Sequence, residues 1–232
     1  MSGARTWAVR TAGPWLTLHG ACRDVRAVVL LVHGGLENST GGTWMWEPAV
    51  LRMVPFAWAL ARAGRGRGLA VLRLRLRVRG WNAAADPVVD VRAALGDVRR
   101  RFGAVPVVLA GHSLGGRAVV RAAGEDGVRG VLGLAPWLPR GEPVAQLRGR
   151  HLLVANGVFD LHTPPAEARA YLRRARAVAA SASYLPVDLD GHPMLRVRRW
   201  NAVAVAFTGA VLGWRDAFPG GARRFAPFHR RH

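Results

Sequence analysis

One stretch, from Val105 to Ala123, constrains the fold of this chain more than any other. Its first part, residues 105–110, is a short apolar run rich in β-branched residues, which is typical of a strand buried on both faces. The run breaks at Gly111-His112-Ser113-Leu114-Gly115-Gly116, and a helical pattern follows at once. A serine between glycines at a strand-to-helix turn matches the G-x-S-x-G nucleophile elbow, where only glycine tolerates the crowded backbone. Ser113 is therefore the first candidate for a reactive residue.

The motif needs support from its surroundings, because the chain contains 28 glycines. In a composition of this kind, G-x-S-x-G occurs by chance in roughly one chain in ten. The alternative interpretation is an ordinary glycine-rich turn in which the serine caps the following helix. Partner residues in the order Ser, Asp, His further along the chain would favour the nucleophile.

Strand and helix patterns alternate along the rest of the sequence. Strands are predicted at residues 26–32, 69–78, 105–110, 128–135, 151–156 and 183–187, and helices at 47–63, 86–102, 116–123, 165–179 and 194–212. Prolines at positions 48 and 55 predict a first-turn proline and then a kink in the first of these helices. This order predicts an α/β fold with a mostly parallel central sheet and helices on both faces.

The length of 232 residues fits a single domain spanning 1–232. Residues 1–25 include a possible antiparallel edge hairpin, with strands at 7–10 and 15–19 around Ala12-Gly13-Pro14, and residues 215–232 form a basic C-terminal tail. The connection 136–150 is too short to build a lid domain.

Two local patterns carry further predictions. Leucine or valine alternates with arginine over residues 72–79, which is unusual for a central parallel strand, so the arginines either lie beyond the sheet or extend under neighbouring helices. Asp86-Pro87 predicts an N-cap acid followed by a proline at the first helical position.

Two downstream residues complete a candidate constellation with Ser113. Asp160 follows the strand at 151–156, and His192 follows the strand at 183–187, so both are expected at the carboxyl edge of the sheet, where α/β folds bind ligands. Alone, the aspartate is as consistent with a turn or helix cap, and the histidine with a structural or solvated role. Together, in the order Ser113, Asp160, His192, they favour nucleophilic catalysis.

The motifs His33-Gly34-Gly35, GHSLGG, GVFDLHTPP and DGHPML give the chain, from residue 26 to 214, a resemblance to the α/β-hydrolase superfamily. Within it, the chain resembles the capless actinobacterial hydrolases of the serine esterase and aminopeptidase-like group. The resemblance implies that Ser113 attacks a carbonyl, His192 transfers the proton and Asp160 orients the imidazole. It also implies an oxyanion hole formed by the backbone N–H groups of Leu114 and Gly35. Leu36 is the alternative second donor, since the glycine run lacks a third glycine.

The expected function is hydrolysis of a carboxylic ester of small to medium acyl size through an acyl-enzyme, with thioesterase or amidase and aminopeptidase-like activity as alternatives. His33 and His112 are interpreted as structural residues that join the loops. Tryptophans 44, 46, 81 and 137 are interpreted as rim and core residues more readily than as an acyl pocket. Glu37 either disfavours anionic substrates or is simply solvated. No metal-ligand spacing or nucleotide-binding fingerprint is present, so no metal and no cofactor are expected.

The formal net charge of +20 raises a function of another class. A retired hydrolase fold that binds a polyanion would use such a charge. However, all 34 basic residues are arginine and they are spread along the chain, which fits a GC-rich coding sequence, and nucleic-acid binding is then incidental. The single cysteine, Cys22, and the lack of a long apolar segment predict a cytoplasmic protein with no membrane span.

Overall fold

The computed structural model of the chain describes residues 7–9 and 15–214. Within them the strands are β1 (Trp7–Val9), β2 (Trp15–Gly20), β3 (Ala27–Val32), β4 (Leu69–Arg75), β5 (Val107–His112), β6 (Val128–Leu134), β7 (His151–Gly157) and β8 (Ser181–Val187). The helices are α1 (Pro48–Leu51), α2 (Val54–Ala63), α3 (Asp86–Phe102), α4 (Leu114–Arg121), α5 (Pro165–Ala175) and α6 (Val197–Val211), with one 3₁₀ turn at Ala145–Leu147.

The strands form one sheet in the order β1-β2-β4-β3-β5-β6-β7-β8. β1 and β2 are the predicted edge hairpin and pair antiparallel with each other, and β2 pairs antiparallel with β4. From β4 to β8 all neighbours are parallel. The predicted fold class is therefore confirmed. The turn predicted at residues 12–14 and the basic tail 215–232 lie outside the described residues.

The core has two layers because helices cover both faces of the sheet. One layer packs α3, α4 and α5 against the sheet, and the other packs α2 and α6 against the opposite face. Every residue of β3 is buried, as expected for a strand whose two faces are both covered. The carboxyl ends of the parallel strands consequently meet at one edge of this sandwich.

Several predicted helix boundaries are wrong: the helix predicted at 165–179 ends at Ala175, and the helix predicted at 194–212 spans Val197–Val211. The helix predicted at 47–63 is two helices, because Pro55 lacks an N–H and lies in the first turn of α2 instead of continuing α1. The helix predicted to begin at residue 116 begins at Leu114, directly after Ser113.

The predicted cap of α3 is displaced by one residue: Ala85 is the N-cap, with a φ of 51°, and Asp86 is the first helical residue. The reason is Asn82, whose side chain accepts a hydrogen bond from the Asp86 N–H at 3.3 Å and donates one to its carboxylate at 2.9 Å. The side-chain oxygen of Asn82 thus supplies the hydrogen-bond acceptor at the start of α3 that was expected from Asp86.

Of the two interpretations offered for the arginines at the end of β4, the position beyond the strand holds for Arg77, whereas Arg73 and Arg75 contact residues of β2 and do not extend under a helix. Arg73 and Arg75 lie on the strand; Arg73 donates to His19 Nε2 at 3.0 Å, and the Arg75 guanidinium lies 4.9 Å from the centre of the Trp15 ring. Arg77 lies beyond the strand and binds Asp90 of α3 through its Nε at 2.5 Å. Arginine can alternate with leucine along β4 because only the antiparallel hairpin β1-β2 lies between β4 and the edge of the sheet.

The connection 136–150 is held against the fold and does not form a lid. Glu142 is buried and its carboxylate binds both Arg117 and Arg121 of α4. The Tyr171 hydroxyl donates to the Pro143 carbonyl at 2.7 Å, and Arg174 donates to the Glu142 carbonyl at 2.8 Å. In the described part of the chain, no helix is long and apolar enough to cross a bilayer.

Candidate active site

Ser113 lies at the turn between β5 and α4. Its backbone has φ 52° and ψ −118°, a conformation that residues other than glycine rarely adopt. A Cβ at Gly111 would overlap the Gly115 carbonyl, and one at Gly115 would overlap the His33 carbonyl. The Ser113 N–H donates to the Leu134 carbonyl at 3.1 Å. The glycines on both sides are therefore required by the close approach of neighbouring backbone, as the elbow motif predicts.

The structure brings the three predicted residues together. The His192 Nε2 lies 3.1 Å from the Ser113 Oγ, and the His192 Nδ1 lies 3.1 Å from the Asp160 Oδ2. Each residue follows a strand of the parallel part of the sheet: β5, β7 and β8. With the Nδ1 proton directed to the carboxylate, the Nε2 lone pair accepts the hydrogen bond of the serine hydroxyl.

The carboxylate of Asp160 is buried and held by several donors. It accepts hydrogen bonds from the His162 and Thr163 N–H groups at 3.0 and 2.9 Å and from the Thr163 hydroxyl at 2.7 Å. Burial by itself raises the pKa of Asp160, but the hydrogen bonds from His192 and Thr163 outweigh it and leave that pKa below its usual value. Asp160 thus stays ionised beside His192. Thr163 was not identified from the sequence, where its only signal is its place in GVFDLHTPP, three residues after the acid.

A second buried carboxylate near the site, Asp190, has a different role. It accepts hydrogen bonds from the backbone of Gly191, Leu195 and Arg196 and from the Trp200 indole. Burial raises the pKa of Asp190, but these hydrogen bonds lower it by more. Its contacts shape the loop that carries His192 and do not include the imidazole.

Two other histidines predicted as structural residues are confirmed as such. His33 donates from Nδ1 to the Gly34 carbonyl at 2.6 Å and accepts at Nε2 from the Leu76 N–H at 3.1 Å, which joins the ends of β3 and β4. His112 donates from Nε2 to the His192 carbonyl at 3.0 Å. Burial, and then the nearby His192, lower the pKa of His112 to about 3, so its ring is neutral.

Two other imidazole rings lie close to that of His192. The ring centre of His112 is 4.8 Å away, and that of His162, which stacks at an angle of 25°, is 5.2 Å away. His162 is exposed and was not identified from the sequence.

Backbone hydrogen bonds distinguish between Gly35 and Leu36, the two candidates for the second oxyanion donor beside Leu114. The Leu36 N–H donates to the Arg79 carbonyl at 2.7 Å, so it is already used. Within residues 15–214, no acceptor takes the N–H of Gly35 or that of Leu114, the first residue of α4. These two groups remain able to bind an added oxygen atom.

A cavity of about 290 Å³ opens onto these residues. Besides the reactive groups, its lining includes Leu36, Glu37, Ala49, Arg52, Leu114 and Trp137. Among the four tryptophans considered from the sequence, only Trp137 lines it. Trp44 and Trp46 are largely exposed, and Trp81 packs edge-on against Trp137. The described residues contain no cluster of histidine, cysteine and acidic side chains that could hold a metal ion.

Comparison with known proteins agrees with this arrangement. The model of the alpha/beta hydrolase family matches residues 29–230. A search of curated protein sequences finds no match.

Solved structures show the same fold at low sequence identity. A serine hydrolase without a lid from Xanthomonas campestris is 20% identical, with 94% of this chain and 99% of that one covered and a TM-score of 0.64. A thermophilic esterase from Thermogutta terrifontis is 18% identical, with 94% and 95% covered and a TM-score of 0.66. The same esterase with butyrate bound is 19% identical, with 94% and 97% covered and a TM-score of 0.65.

Proposed function

Because the chain belongs to the α/β-hydrolase family, we propose that it is a serine hydrolase that cleaves a carboxylic ester of small to medium acyl size through an acyl-enzyme. The observation that carries the proposal is the continuous chain of hydrogen bonds from the Ser113 hydroxyl through His192 to Asp160. A serine is nucleophilic near neutral pH only when a neighbouring base accepts its proton.

In the proposed reaction, the Ser113 Oγ attacks the ester carbonyl while His192 Nε2 takes the hydroxyl proton. The tetrahedral intermediate collapses as His192 returns that proton to the departing alkoxide, which leaves as an alcohol. Water then attacks the acyl-enzyme with His192 again as base, and the acid and free Ser113 are released. Asp160 holds the Nδ1 tautomer and stabilises the imidazolium without itself taking the proton.

We assign the oxyanion hole to the backbone N–H groups of Gly35 and Leu114. The use of the Leu36 N–H by the Arg79 carbonyl supports Gly35 over Leu36. Leu114 begins α4, so the positive end of that helix adds to the attraction for a developing oxyanion.

The size of the cavity supports a short acyl group, and the butyrate bound by the Thermogutta terrifontis esterase is consistent with it. Thioesters and amides, including aminoacyl amides, remain the alternative substrates, because the same acyl transfer serves all three bonds. The exposed and unpaired Cys22 supports a cytoplasmic location.

The test uses a fluorophosphonate probe on the purified chain. The native protein is expected to be labelled at Ser113, and Ser113→Ala is expected to lose both labelling and ester turnover. Labelling of the Ser113→Ala variant would contradict the assignment.

The role of the acid is tested by comparing two aspartates. Asp160→Asn is expected to lower kcat by about 10⁴, because the histidine tautomer is lost. Asp190→Asn serves as the control. It is expected to lower Tm, since Asp190 supports backbone N–H groups and an indole, and to lower kcat far less than Asp160→Asn does. An equal loss of kcat in Asp190→Asn, with a mild effect in Asp160→Asn, would identify Asp190 as the acid.

A further inference from the structure

Two charged side chains, Arg52 and Glu37, line the cavity and have no role in the reaction described above. Arg52, the residue that ends α1, lines the cavity together with Ser113 and His192. It is half-buried, and burial lowers its pKa from the usual arginine value. It is close enough to the reactive groups that its positive charge contributes to the lowered pKa of His112.

The guanidinium of Arg52 has no partner in the described part of the chain: neither a carboxylate, nor another hydrogen-bond acceptor, nor an aromatic ring. Other partly buried arginines of this fold do have partners, such as Arg117 on Glu142 and Arg73 on His19. A desolvated guanidinium without an anion is unfavourable, because water is removed and no charge replaces it. An anion supplied by the substrate would remove that penalty.

On the basis of the proposed ester hydrolysis, we propose that the substrate carries a carboxylate, which Arg52 binds while the ester carbonyl lies at Ser113. A planar guanidinium fits a carboxylate through two parallel hydrogen bonds. Leu36, Ala49 and Trp137 supply an apolar wall in the same cavity, which suits a short hydrocarbon segment between ester and carboxylate.

A single negative charge is favoured over a phosphate dianion. Among the described residues lining this cavity, Arg52 is the only arginine or lysine, and Glu37 lines it as well. Glu37 is exposed and forms no ion pair with Arg52, so its charge is not neutralised there and would repel a second negative charge. The substrate class is therefore the half-ester of a dicarboxylic acid or the ester of a hydroxy acid.

The test compares anionic and neutral esters of equal length. One arm uses monoethyl esters of dicarboxylic acids from succinate to suberate against ethyl alkanoates, which places the charge on the acyl side. The other uses butyryl esters of ω-hydroxy acids against alkyl butyrates, which places it on the alcohol side. We expect native protein to prefer the anionic member in one arm by roughly 10- to 150-fold in kcat/KM, the range of a hydrogen bond to a charged group.

Arg52→Gln is expected to remove that preference, and Arg52→Lys to retain part of it, since lysine keeps the charge and loses the planar fork. The matched control is Arg129→Gln, which removes one positive charge from an exposed residue near the start of β6, at the opposite end of that strand from Ser113. It is expected to leave the preference unchanged. Competitive inhibition of neutral-ester turnover by free dicarboxylates provides a readout that needs only native protein.

The outcomes separate this proposal from the one on which it rests. Equal or lower kcat/KM for anionic esters in native protein would overturn the role of Arg52, whatever the variants do. A preference that survives in Arg52→Gln would do the same. If neither ester series is turned over and the fluorophosphonate fails to label Ser113, the proposed hydrolase activity itself is wrong.

Discussion

The buried carboxylate of Glu142 offers a direct test of what holds the connection 136–150 in place. Its side chain is 1% exposed and binds two guanidinium groups, with a distance of 2.7 Å from Arg121 Nε to Oε2. The side chain of Arg117 is 11% exposed, and its guanidinium also lies over the rings of Trp81 and Trp137. Glu142→Gln keeps the size of the side chain but removes the charge that both arginines require.

Removal of one partner from a buried ion pair costs about 3–5 kcal/mol in the free energy of unfolding. Because Arg117 keeps its two aromatic contacts, we expect a value near the lower end, about 3 kcal/mol. For a chain of this length each kcal/mol lowers Tm by roughly 2–4 °C, so Tm should fall by about 6–12 °C.

The control is Glu125→Gln, which breaks an exposed ion pair with Arg92, whose side chains are 39% and 57% exposed. Exposed pairs contribute less than about 1 kcal/mol, so this variant should unfold close to native protein. Urea denaturation followed by tryptophan fluorescence measures the free energy of unfolding of both variants. Equal, small losses in the two variants would show that the Glu142 cluster does not stabilise the fold.

Three further predictions concern pH, chain length and salt. Burial lowers the pKa of His112 to about 3, so between pH 6.5 and 3 the unfolded chain binds more protons than the folded one, and stability falls as pH falls. From pH 7 to pH 5 this histidine should account for a loss of about 2 kcal/mol in the free energy of unfolding. In urea denaturation, His112→Gln should therefore show a shallower dependence of that free energy on pH. An unchanged dependence would refute this cause. For neutral esters, kcat/KM should be highest for short acyl chains, because a long chain cannot gain the roughly 0.8 kcal/mol per buried methylene in so small a cavity; a steady rise from acetyl to dodecanoyl would contradict this. DNA should bind weakly and lose affinity between low and physiological salt; sub-micromolar binding that persists at 150 mM salt and is lost when Arg223, Arg224, Arg230 and Arg231 are neutralised would instead support a polyanion-binding function.

The residues that meet at the reactive centre could be predicted because their types and their places in the chain are both informative. Ser113, Asp160 and His192 each follow an apolar run, and parallel strands bring such positions to one edge of the sheet. The glycines of the elbow were predictable for the same reason, since a close backbone approach excludes every other residue.

The residues that support the centre could not be predicted, because their roles depend on contacts between distant parts of the chain. Arg52 is one arginine among 34, and only the folded chain shows that it faces the cavity with no acidic side chain paired to it among residues 15–214. Glu142 lies in a loop of no regular pattern, and its partners are 21 and 25 residues earlier. The cap of α3 was misplaced because a side-chain amide, Asn82, competed with the expected acid.

The backbone of Ser113 is held by two hydrogen bonds, one to the last residue of β6 and one from the connection that follows it. Its N–H donates to the Leu134 carbonyl at 3.1 Å, and its own carbonyl accepts from the Trp137 N–H at 3.0 Å. Backbone in a sparsely populated conformation stores about 1–3 kcal/mol and persists only where its surroundings enforce it. Trp137 belongs to the connection 136–150 that Glu142 anchors to α4, so local opening of that connection would remove the hydrogen bond to the Ser113 carbonyl. Amide hydrogens of the elbow and of Trp137 should accordingly exchange with solvent as one cooperative unit, at a rate set by the opening of that segment.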